Sequence, residues 1–202
     1  HQLAKHNGDE GDDEFNLGST TISNSNNRTQ ATINGDISGG SGNDRFTLDL
    51  GVRVNGTIDG GADTDSFNLV EGSAKNVNGG SGNDYFTIRN SFSYSDSNLV
   101  LDGGTGEDNL SFDALTGSIK AENLVNFESF NVGGFSKLNF TGNQLTIQNS
   151  TDPNSYNTIG IDEGSELSFS SNSFTIAGGK GLSNRGTLNL RGAAPGRLLT
   201  IE

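Results

Sequence analysis

Acidic side chains recur at one position of a glycine-rich unit. The stretch GGSGNDRFTL at Gly39–Leu48 returns as GGSGNDYFTI at Gly79–Ile88, and looser copies begin at Gly8, Gly60 and Gly103. Every copy sets an aspartate (Asp13, Asp44, Asp65, Asp84 or Asp108) two residues before an apolar one: Phe15, Phe46, Phe67, Phe86 or Leu110. Carboxylates stacked in this way have two uses. Their hard oxygens, together with glycine carbonyls, suit a cation such as calcium that takes six to eight oxygen ligands. Alternatively they accept hydrogen bonds from turn N–H groups, capping the backbone and hydrating the corner. Stacked acids also repel one another, a cost that a bound cation would relieve. The residues leave both uses open.

Other chemistries find little support. The two histidines, His1 and His6, sit at the start of the chain, far from any serine in a nucleophile elbow. Without cysteine, and with two terminal histidines, zinc is not expected. Arg45, Arg53, Lys75 and Arg89 are scattered and form no recognisable proton-accepting cluster. The expectation is a protein that is not an enzyme.

The elements that position the aspartates follow from the spacing. Motif starts at 8, 39, 60, 79 and 103 lie 31, 21, 19 and 24 residues apart, about one coil of a solenoid. Short strands are predicted before each Gly pair, at Ile33–Ile37, Val54–Ile58, Lys75–Val77 and Leu99–Leu101. Alternating strands are predicted after it. Stacking then places Ile37, Ile58, Val77 and Leu101 in one interior row, with Phe46, Phe67, Phe86 and Leu110 in another. From Leu115 the motif disappears, but strand-like runs continue to Ile201, and no convincing helix is present. The fold expected is all-β, a right-handed parallel β-helix of about nine or ten coils and roughly 45 Å long. It forms a single domain over 1–202, with motif coils in 1–113 and motif-free coils in 114–202.

Composition agrees with a thin core: 202 residues, 30 of them glycine, and only 30% hydrophobic. No apolar run approaches a membrane span. The net charge of −13 disfavours nucleic acid as a partner; residues 1–113 carry −12 of it. Absence of cysteine fits an exported bacterial protein or an engineered fragment, and a start at His1 without a signal-peptide pattern fits a mature or excised piece. Three insertions interrupt the regular coil, at 23–30, 89–98 and 148–157. The second carries Phe92 and Tyr94, candidate binding aromatics whose alternative reading is an ordinary surface loop. A basic C-terminal stretch with Lys180, Arg185, Arg191 and Arg197 is an example of a local patch suited to acidic ligands; the alternative is that it serves solubility alone.

Two resemblances add to this reading. The GGxGxD unit resembles the calcium-binding repeat of RTX proteins, although RTX repeats run in tandem at nine residues and these come once per coil. That resemblance implies calcium at Asp13, Asp44, Asp65, Asp84 and Asp108. The tail GLSNRGTLNLRGAAPGRLLTI (181–201) and the stretch LVNFESFNV (124–132) are similar to passengers of bacterial type V autotransporters, particularly AIDA-type adhesins. This second resemblance implies a passenger that stops before any autochaperone cap or outer-membrane barrel. It further implies secretion to the cell surface, and a role in adhesion, self-association and biofilm formation through identical passengers, host matrix or glycans. The alternatives are a β-helical stalk presenting another module, a calcium-dependent RTX-like roll, and, last, a polysaccharide lyase.

Overall fold

A computed structural model describes residues 6–18, 31–49, 51–92, 99–149, 158–171, 173–178, 181–189 and 198–201. Every strand pairing in them is parallel, and the stacked strands form a β-solenoid of about seven turns. The longest stack runs through Glu14–Leu17, Arg45–Leu48, Ser66–Ser81, Tyr85–Phe92, Asn109–Asp113, Ser129–Gly133, Thr158–Ile161 and Gly181–Asn184.

Register turns the sequence alternation into interior rows. Ile37 pairs with Ile58, Ile58 with Val77, Val77 with Leu101, and Leu101 with Leu124. Phe15, Phe46, Phe67, Phe86, Leu110, Phe130 and Ile159 occupy successive rungs of the second row. Both rows predicted from the sequence are therefore present. The rings of Phe15, Phe46, Phe67 and Phe86 stack face to face, with centroids 4.8, 4.9 and 4.4 Å apart, close to the spacing between paired strands. Phe127 closes that stack edge-on, 5.1 Å from Phe86. A solenoid brings like residues together once per coil, so one aromatic position yields a continuous column.

Two details depart from expectation. Residues 33–37 are not one strand: Ala31–Ile33 and Ile37–Ser41 flank a corner at Asn34-Gly35-Asp36. Asp36 Oδ1 accepts the Thr57 N–H of the next coil there at 2.8 Å. A single 3₁₀ turn, Ala121–Asn123, precedes the short strand Leu124–Val125. Beyond it the coil acquires two further parallel stacks. One comprises Thr116–Lys120, Lys137–Thr141, Glu166–Phe169 and Thr187–Asn189; the other Gln144–Thr146, Ser173–Ala177 and Leu198–Ile201. Among the described residues, no helix is long and apolar enough to cross a membrane.

Candidate functional site

The repeated corner is built around its aspartate. The Asp13 N–H donates to Asp44 Oδ1 at 2.8 Å, Asp44 N–H to Asp65 Oδ1 at 2.7 Å, and Asp65 N–H to Asp84 Oδ1 at 2.8 Å. Asp84 N–H continues to Asp108 Oδ1 at 2.7 Å, and Asp108 N–H ends on Glu128 Oε2 at 2.6 Å. The result is a ladder in which each intermediate aspartate gives its N–H to one coil and accepts through Oδ1 from the other. Asp44, Asp65, Asp84 and Asp108 are all buried, at no more than 1% exposure.

Their inward orientation explains the first glycine of each motif. The Oδ2 atoms of these four aspartates are buried and have no hydrogen-bond partner. In the three coils of Asp44, Asp65 and Asp84, Oδ2 lies against the Cα of Gly39, Gly60 and Gly79 respectively, and a Cβ there would overlap both it and the next coil's carbonyl. The second glycine serves the backbone. Gly61, Gly80 and Gly104 have φ of 113°, 105° and 100°, and a Cβ on each would strike the carbonyl of Gly40, Gly61 and Gly80. Where the third glycine is replaced, Asp63 adopts φ 77°, a conformation aspartate tolerates better than most residues.

A second rail follows the motif asparagine in the opposite sense. The N–H of Asn43 donates back to Asp12 Oδ1 at 2.8 Å, that of Thr64 to Asn43 Oδ1 at 3.1 Å, and that of Glu107 to Asn83 Oδ1 at 3.0 Å. The Asn43-Asp44 pair thus ties its corner to both neighbouring coils.

Burial disfavours the charged form of a carboxylate. It pushes Asp65 and Asp108 up to about 7 and Asp84 to about 6, against the pull of the N–H each one accepts. Neighbouring carboxylates raise Asp65 and Asp108 further. Asp44 and Glu128 are raised as well, again chiefly by burial. Near neutral pH the ladder is therefore partly protonated.

Of the two uses that the sequence left open, this geometry shows the N–H cap, whereas hydration of the corner is overturned. With no Cβ on the first glycine, the aspartate folds inward instead of facing water. The donor set fits calcium poorly: Oδ1 is taken by an N–H, Oδ2 abuts a glycine Cα, and no described group of three acidic or histidine side chains converges on a metal position. Asp13, half-buried, is the first rung of the ladder among the described residues. Phe92 ends the strand Tyr85–Phe92, its side chain lying outside the described residues, as does Tyr94 altogether. Of the basic tail, Arg185 is described and pairs with Asp162 at 2.7 Å.

Sequence reasoning missed Glu128 as the terminal rung. Its offset gave the signal: Glu128 precedes Phe130 by two residues, as Asp108 precedes Leu110. It also missed Ser136, whose buried Oγ accepts the Leu115 N–H at 2.9 Å and donates to the Gly133 carbonyl at 2.6 Å. Fold and site together define a class: a parallel β-solenoid with a buried acidic ladder at one corner. No family model, curated protein or solved structure matches the chain.

Proposed function

We propose that this chain is an adhesive rod, the passenger of a bacterial type V autotransporter exported to the cell surface. In this reading it associates with identical passengers or attaches to host matrix or glycans, and it carries no catalytic centre. The complete rod is right-handed, with nine or ten coils. One observation carries the reading. Thr47, Asn68, Thr87, Ser111, Asn131, Gly160 and Ser183 occupy successive rungs of one stack, at alternate positions to the buried row. A rigid array of short polar and small residues supports many weak hydrogen bonds to an extended partner, each contributing little alone. The resemblance of residues 181–201 and 124–132 to autotransporter passengers points the same way.

Sedimentation velocity over a concentration series, combined with retention on matrix proteins and a glycan panel, tests the reading. Reversible association or specific retention is expected. A monomer at every concentration that retains no ligand would instead favour the stalk. A fold lost in EGTA and restored by calcium would favour the RTX-like roll.

A further inference from the structure

Outside the phenylalanine column, the strands Arg45–Leu48, Ser66–Ser81 and Tyr85–Phe92 form a shallow groove of about 220 Å³. Its polar lining is Arg45, Ser66, Asn68, Tyr85, Thr87 and Arg89. Register brings these residues together from three coils: Arg45 pairs with Ser66, Ser66 with Tyr85, and Thr87 and Arg89 follow Tyr85 at alternate positions on the same face. Tyr85 is 53% exposed although it stands on a regular strand. Arg89 is held by Asp113 at 3.0 Å. Arg45 is exposed and forms no ion pair among the described residues.

We propose that this groove is the subsite for a carboxylated sugar, a uronate or a sialate, within an acidic glycan. The inference rests on the adhesin reading and names its ligand chemistry. An exposed tyrosine ring offers an apolar face to sugar C–H groups while its hydroxyl remains wet. Ser66, Asn68 and Thr87 supply short donors and acceptors, and the strands beneath hold them in fixed positions. The Arg45 guanidinium, with no ion pair among the described residues, is shaped for bidentate pairing with a carboxylate. Charge selects the occupant through Arg45. Arg89 is already held by Asp113, and Glu14 stands in register with Arg45 on the neighbouring strand without forming an ion pair with it. One guanidinium of the groove is thus left for a carboxylate on a chain of net charge −13. The surrounding negative field opposes a dense polyanion, so recognition is short-ranged and suits a glycan carrying isolated carboxylates.

The test titrates the full chain with sialyllactose, with an unsulfated hyaluronan oligosaccharide and with lactose, followed by saturation-transfer NMR and calorimetry. At least one acidic probe is expected to bind about tenfold or more tightly than lactose, and the preferred probe tells sialate from uronate. Arg45→Gln should remove that preference, and Tyr85→Ser should weaken binding of every probe. Both side chains are exposed, and unchanged unfolding midpoints verify that the variants fold. Equal affinity for lactose, no binding of either acidic probe, or acidic binding unchanged in Arg45→Gln would overturn the subsite. If copies still associate in sedimentation, the adhesin reading survives that failure. If there is neither association nor retention of any ligand, both readings fall.

Discussion

At the residue scale, glycine and aspartate in the motif are two halves of one device. The aspartate turns inward to cap an N–H, and the first glycine is the only residue that leaves its second oxygen room. Gly60→Ala should therefore destabilise the fold at the upper end of the roughly 1–3 kcal/mol that overpacking costs. The obstacle there is a fixed carbonyl and a hydrogen-bonded carboxylate, which cannot swing away. Chemical denaturation of the variant checks this, and an unchanged midpoint would mean that the carboxylate is not where the ladder places it. The motif made a corner legible. It did not reveal which way the carboxylate pointed, because inward capping and outward ligation use the same residue types at the same spacing.

At the element scale, the coil is the unit of both reading and stability. The rows Ile37–Ile58–Val77–Leu101 and Phe46–Phe67–Phe86–Leu110 were legible because period-2 alternation fixes the buried face and the repeat fixes the register. Beyond Leu115 the repeat lapses, and alternation alone gave strands without assigning them to the two extra stacks. Glu128 escaped because the glycines that announce a corner are absent there. Asn126, at φ 57°, makes the turn instead, and a longer acid reaches the same N–H. Phe67 sits between two stacked neighbours at 4.9 and 4.4 Å. Phe67→Ala is expected to cost about 3–5 kcal/mol, measured by urea unfolding. A loss below about 1 kcal/mol would show that the column closes over the gap.

At the scale of the whole molecule, the ladder makes stability depend on pH in an unusual direction. Most acids that are ion-paired in a folded protein stabilise it as pH rises. These carboxylates have folded-state values raised above the unfolded value of about 3.8, so the folded chain holds more protons than the unfolded one. Stability is then greatest below about pH 4 and declines as pH climbs through about 6 and 7. A tenfold difference in proton affinity between the folded and unfolded chain corresponds to about 1.4 kcal/mol, and the rungs shift in the same direction. Acid also relieves the general repulsion of a chain at −13, and a variant that removes one rung's titration separates the two effects. A solenoid stabilised in this way is firmer in acid than at neutral pH.

The most direct measurement is the thermal unfolding midpoint at pH 4.5 and pH 8, with calcium and with EGTA, for the native chain and for Asp65→Asn. The ladder requires a higher midpoint at pH 4.5, no response to calcium, and a smaller pH difference in the variant. A chain more stable at pH 8 would contradict the protonated ladder, and one whose midpoint rises with calcium would make the corner a metal site.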